Sequence, residues 1–103
     1  HGDSTPNKKP SPEIYEWALE KLRLPSQACI AIEDSPRGLD ASLKAKISTI
    51  VTPSILTIGE EFKGAKLVVS DLGEPDKGFE LIAGDDFGHK YVNIDLLSKI
   101  IGL

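Results

Sequence analysis

The sequence predicts an α/β domain built on a parallel sheet, and three observations predict it. Ala28-Cys29-Ile30-Ala31-Ile32 is an unbroken small or apolar run, the pattern of a strand covered on both faces rather than one. Ser35-Pro36 follows almost at once, an N-cap and a proline suited to the first helical position, so strand gives way to helix. Ile47 to Val51 is another β-prone run one helix later, and a strand-helix-strand step of this length implies a right-handed parallel crossover. The expected architecture is a partial Rossmann-like core, a parallel sheet with flanking helices, forming a single unit over residues 1–103.

The elements follow in order. Asp3 to Lys9 is polar and carries Pro6, a loop. In Lys9-Pro10-Ser11-Pro12 each proline drives its predecessor toward extended geometry, which leaves Ser11 as an N-cap and Pro12 as the first helical residue. The helix is expected from Pro12 to Leu22. Glu13 and Glu16 favour its positive end, and Ile14, Tyr15, Ala18, Leu19 and Leu22 share one face. Trp17 falls off that stripe and reads as a side chain lying on a neighbouring loop. Leu24 to Gln27 is a turn around Pro25.

A second helix is expected from Ser35 to about Ala45, with Leu39 and Leu43 facing the sheet. Gly38 in its first turn costs about 1 kcal/mol against Ala, which makes sense where something must approach that backbone closely. Ile58 to Phe62 reads as a short helix and Leu67-Val68-Val69 as a strand. Asp71 to Gly78, with Gly73 and Pro75, reads as a loop, Phe79 to Ala83 as a strand or a helical turn, and Gly84 to His89 as a turn. Asn93 caps a last helix, Ile94 to Ile101, which Gly102 ends.

Composition bounds the function classes. The chain has 103 residues, 40% hydrophobic and 27% charged, ordinary for one globular domain. Its net charge of -4 and the lack of a basic stripe argue against nucleic acid as a partner and give no pull toward anionic membranes. No apolar run approaches the ~18 residues needed to span a bilayer. Cys29 is the sole cysteine, which excludes an internal disulfide and fits a reducing compartment, the cytoplasm or an organellar stroma or matrix. The chain holds no methionine and opens His1-Gly2-Asp3, which reads as a piece of a longer protein.

The chemistry concentrates in Lys9 and in the Glu33-Asp34 pair. One helix and one strand separate them, enough chain to run down and return to the same rim of the sheet. The pair sits at the carboxyl end of a buried strand and just before a helix, where open α/β sheets bind ligands. Charge there is costly unless paired or metal-bound, and a hard cation such as Mg²⁺ is the natural partner of two carboxylates. An ammonium, two carboxylates and a helix N-terminus on one rim suit a phosphate with Mg²⁺. Taken singly, Lys9 reads as a solvated loop lysine and the acidic pair as a helix cap. Only the combination points to a site. His89 stands alone in a turn and reads as a surface residue, and Asp85-Asp86 as part of that polar turn.

Lys9-Pro10-Ser11-Pro12-Glu13-Ile14-Tyr15 and Ile32-Glu33-Asp34-Ser35-Pro36-Arg37-Gly38-Leu39-Asp40-Ala41-Ser42 resemble the third and fourth motifs of the haloacid dehalogenase (HAD) superfamily. The similar branch is that of the β-phosphoglucomutase-like and CbbY-like sugar-phosphate phosphatases, and the resemblance is fullest from Asp3 to Thr52. It implies a partial HAD-like core and a mechanism in which an aspartate attacks the phosphoryl group to form an aspartyl-phosphate. Lys9 would steady the nucleophile and the phosphoryl oxygens. Asp34 would bind Mg²⁺ directly and Glu33 directly or through water, with Ser35 and Gly38 supporting that loop.

The family's nucleophile motif, Asp-x-Asp-Gly-x-Thr, its second motif and its cap region do not occur in this sequence, and Asp85-Asp86 does not match the first of these. Lys46 stands where the family often has glycine, so a left-handed cap residue is expected there.

The resulting expectation is the C-terminal portion of a Mg²⁺-dependent phosphohydrolase of a small phosphorylated metabolite, a sugar phosphate, inactive by itself. Its strand before Glu33 would have an edge left open for the missing N-terminal part of the same protein or for a symmetry-related copy. A phosphomutase shares both motifs, and a non-catalytic α/β interaction module whose acidic pair only caps a helix is the rival from another class. A phosphoacceptor receiver domain fits less well, because its acidic pair precedes its lysine.

Overall fold

The computed structural model describes residues 11–102. Lys9 lies outside them. Helix α1 spans Glu13–Leu22, strand β1 Ile30–Glu33, helix α2 Pro36–Lys44 and strand β2 Ser48–Val51. Strands β3 (Leu67–Val69) and β4 (Leu81–Gly84) follow, then helix α3 (Ile94–Ile100). Among the described residues the sheet has four strands in the order β1-β2-β3-β4. The first three are parallel, with Glu33 beside Val51 and Val51 beside Val68, and β4 returns antiparallel to β3. The expected α/β fold is therefore present, closed on one side by an antiparallel strand. Of the Phe79 to Ala83 stretch, expected as strand or helical turn, Leu81 to Ala83 lie in β4, which takes in Gly84 as well.

Helices lie on both faces. On one, α1 and α2 cover Ala31, Ala45 and Ile47, and Leu39 packs with Val51 and Val68. On the other, Leu96 and Ile100 of α3 pack with Ile50, Leu67, Val69 and Phe79. Across the first interface a hydroxyl pair is buried: Ser42 Oγ lies 2.6 Å from Thr49 Oγ1, with the Leu39 and Ile47 carbonyls in reach, so one hydroxyl donates to the other and the second donates to its carbonyl. Both polar groups are thus satisfied, as burial demands.

Helix ends follow local chemistry. Ser11 Oγ accepts from the Glu13 N–H at 3.3 Å, which supports its capping role. Ser35 Oγ accepts from the Gly38 N–H, and Asn93 Oδ1 from the Leu96 N–H. α1 and α2 each end on a left-handed cationic residue, Arg23 (φ 56) and Lys46 (φ 63). The N–H groups of Leu24 and Ile47 then reach back to the carbonyls of Leu19 and Ser42, closing both ends in the Schellman manner. Lys46 thus takes the left-handed conformation expected there.

Three expectations are corrected. β1 begins at Ile30, because Pro25 leads Ser26–Ala28 into one 3₁₀ turn. It is not covered on both faces: among the described residues β1 is an edge strand, and Ile32 is 48% exposed although Ile30 packs against the α3 cluster. Ile58 to Phe62 is not helical. Its N-terminal flank folds into successive turns, with the Thr57 N–H on the Ser54 carbonyl and the Glu60 N–H on the Thr57 carbonyl.

His89 is more than a surface residue. Its Nε2 lies 2.7 Å from Asp95 Oδ2 and its Nδ1 3.4 Å from Asn93 Nδ2, so it ties the Asp85–His89 turn to the start of α3. Its hydrogen bond, with Lys99 close by, holds the Asp95 carboxyl below its ordinary value of 3.8. A depressed carboxyl contributes stability above its unfolded pKa, and that contribution fades as pH falls through the folded value. An NMR titration should therefore place the Asp95 midpoint below 3.8, and His89→Ala should return it toward 3.8. Leu67 is fully buried between the sheet faces. Leu67→Ala is expected to cost about 2–5 kcal/mol in urea unfolding.

Candidate functional site

At the carboxyl end of β1 the chain places Glu33 and Asp34 side by side, and strand alternation sends their side chains opposite ways. Glu33 follows Ala31 onto the face covered by α1 and α2, and is only 6% exposed. Asp34 turns outward at the rim and is exposed. A carboxylate buried this far needs partners. Tyr15, one turn into α1, donates its hydroxyl to Glu33 Oε2.

Gly38 explains itself against the same group. A Cβ at this position would overlap Glu33 Oε1 and sit 2.6 Å from Glu33 Cδ. The close approach expected at this glycine is real, and what approaches is the chain's own glutamate, lying across the first turn of α2. Ser35 fixes that turn by accepting from the Gly38 N–H at 3.2 Å. The positive end of α2 lies next to Asp34.

Bonds to their main-chain carbonyls fasten the pair from the far side. The Glu33 carbonyl accepts from the Thr52 N–H at 2.9 Å, and the Asp34 carbonyl accepts from the Thr57 hydroxyl at 2.6 Å. The segment after β2 is thereby drawn along the end of β1.

Of the residues singled out from sequence, the structure brings together Glu33, Asp34, Ser35 and Gly38; Lys9 is outside the described residues. Tyr15 and Thr57 were not singled out. Tyr15 carries no role in that reading beyond the apolar stripe and the motif it closes, although a phenol on the face toward a strand that ends in glutamate is a usable signal. Thr57 sits in a loop whose contact with Asp34 spans 23 positions, and no local pattern announces it.

Among the described residues no group of three or more His, Cys, Asp or Glu converges on one point. Mg²⁺ does not require such a cage. It binds through one or two carboxylates and keeps several waters. An exposed Asp34 carboxylate with Glu33 anchored beneath it fits that ion and would not suit a metal needing several nitrogen or sulfur ligands.

Residues 1–52 match the family described as haloacid dehalogenase-like hydrolase. The chain belongs to that family. It is similar to the plasmid-encoded protein CbbY of Cupriavidus necator, 46% identical over 72 residues, covering 70% of this chain and 28% of the relative. It is also similar to a phosphorylated carbohydrates phosphatase of Thermotoga maritima, 41% identical over 49 residues, covering 48% of this chain and 23% of that protein. Among solved structures it resembles CbbY from Rhodobacter sphaeroides bound to xylulose-1,5-bisphosphate, with a TM-score of 0.65 and 42% identity over 67% of this chain and 31% of that one. The HAD-like fold and the CbbY-like resemblance are thus established, and the chain spans less than a third of the length of these relatives.

Gly38→Ala should expose the packing of Glu33. Overlap with the carboxylate is expected to cost about 1–3 kcal/mol in denaturant unfolding, outweighing the gain of about 1 kcal/mol in helix propensity. In a Glu33→Ala background the obstacle is gone, and the same substitution should turn neutral to stabilising. A double-mutant cycle reads that coupling directly.

Proposed function

We propose that this chain is the C-terminal part of the core of a Mg²⁺-dependent phosphohydrolase acting on a small phosphorylated metabolite, a sugar phosphate. The observation that carries the reading is the divided acidic pair: Asp34 exposed at the sheet rim, Glu33 locked beneath it by Tyr15. Membership of a hydrolase family favours hydrolysis over the mutase and interaction-module alternatives. The substrate class is supported by a relative named for phosphorylated carbohydrates and by a structural neighbour solved with a sugar bisphosphate.

On this reading the metal, when bound, would neutralise charge building on the phosphoryl oxygens. Asp34 would hold it directly and Glu33 through water, because the Glu33 carboxylate is already engaged by the Tyr15 hydroxyl. Lys9 would offset phosphoryl charge, and the aspartate that forms the aspartyl-phosphate would lie outside this chain. Ser35 and Gly38 would keep the first turn of α2 in place under the pair. The free edge of β1 would receive the strand that bears that aspartate, so the isolated chain would turn over no substrate. The half-buried free thiol of Cys29 accords with a reducing compartment, the cytoplasm or an organellar stroma.

Asp34→Asn in the full-length protein tests this. Calorimetric titration with Mg²⁺ should show binding lost, together with phosphate release from sugar phosphates. Undiminished Mg²⁺ affinity in the folded variant would refute the assignment.

A further inference from the structure

The segment after β2 carries an unusual combination. Its tip is apolar and uncovered, with Ile55 92% and Leu56 88% exposed, so burial does not hold it where it lies. Hydrogen bonds do, and they converge on one hydroxyl. Thr57 Oγ1 accepts from the Ser54 N–H at 2.9 Å, lies 3.2 Å from Ser54 Oγ, and donates to the Asp34 carbonyl at 2.6 Å. The Ser54 hydroxyl in turn accepts from the Leu56 N–H at 3.2 Å. A threonine hydroxyl has a single proton. With the Ser54 N–H already pointing at its oxygen, that proton is committed to Asp34, which fixes the rotor.

We propose that Thr57 is a positioning residue for the Asp34 carboxylate. Asp34 stands at the hinge between β1 and the Ser35 cap, where the backbone leaves the sheet and is no longer held by strand pairing. Its neighbour Glu33 is fixed on both sides, by Tyr15 at the side chain and by Thr52 at the carbonyl. Asp34 is exposed, and Thr57 grips its peptide carbonyl. Holding that peptide plane sets the direction in which the Asp34 side chain leaves the rim. Groups that orient a metal-binding residue in this way change metal affinity by about 10–100-fold when removed. The inference rests on the metal-site reading of Asp34 given above.

The test uses Mg²⁺ and Mn²⁺ binding to the full-length protein, alongside activity. Thr57→Val keeps the shape and removes the donor. It is expected to weaken Mn²⁺ binding, read by water-proton relaxation, by about tenfold, and to speed amide exchange at Asp34 and Ser35. Thr57→Ser should restore both. Unmodified protein supplies a check that needs no variant. In a Mg²⁺ titration the Thr57 methyl resonance should shift with the same midpoint as the Asp34 amide, while the methyl of buried Thr49 stays still. Full Mn²⁺ affinity in folded Thr57→Val, or a silent Thr57 methyl while the Asp34 amide moves, would overturn the inference and leave the metal site standing. Unchanged affinity in Asp34→Asn would instead remove the metal site on which it rests.

Discussion

Burying the Glu33 carboxylate between α1 and α2 constrains nearly everything around the end of β1. The charge cannot lie there without a donor, so α1 must bring Tyr15 to it. It needs room across the first turn of α2, so position 38 must lack a Cβ. That turn must then be held by its own cap, which Ser35 supplies. Helix α1 and the first turn of α2 are thus both fitted to one side chain. The consequence for Asp34 is geometric: with Glu33 turned inward, strand alternation leaves Asp34 facing out at the rim. One acid works as an anchor and the other is left available.

Much of this architecture was legible because local chemistry and tertiary packing agree. The Ser35-Pro36 start, the β3 strand and the Asn93 cap all combine a strong local preference with a partner that satisfies it. Reading failed where the outcome depends on distant chain. Ala28 to Ile32 looks covered on both faces, but apolar composition does not reveal that β1 is an edge strand whose Ile30 meets the α3 cluster while Ile32 stays half-exposed. Ile58 to Phe62 has helical spacing, yet the polar hub at Thr57 organises its approach as turns. The acidic pair was found from its place after a strand, while Tyr15 and Thr57, which orient it, were not. Residues that bear charge announce themselves by type, and those that steer them are visible only once folded.

Asp71 to Gly78 reads as a loop and Gly84 to His89 as a turn, and in the structure the chain around them is tied together by main-chain bonds. The Phe79 N–H bonds to the Lys90 carbonyl and the Val92 N–H to the Leu72 carbonyl, each at 2.7 Å. Gly73, at φ 75, allows this because a Cβ there would lie 2.6 Å from the Lys90 carbonyl oxygen. Phe79 then drops into the core beneath α3. His89 and Asn93 join the turn to that helix. This half of the molecule braces the sheet from the face opposite Glu33 and carries none of the acidic centre.

α1 differs from the other helices in having no buried residue. It touches the body through an apolar seam with Cys29, Ala31 and Ile47, and through the Tyr15 phenol. A helix attached so lightly belongs to the low-stability end of a fold and opens before the sheet does. Each opening takes the phenol away from Glu33. The order of the acidic centre is therefore set by the docking equilibrium of one peripheral helix, and whatever presses α1 against the sheet also sharpens the geometry at the rim.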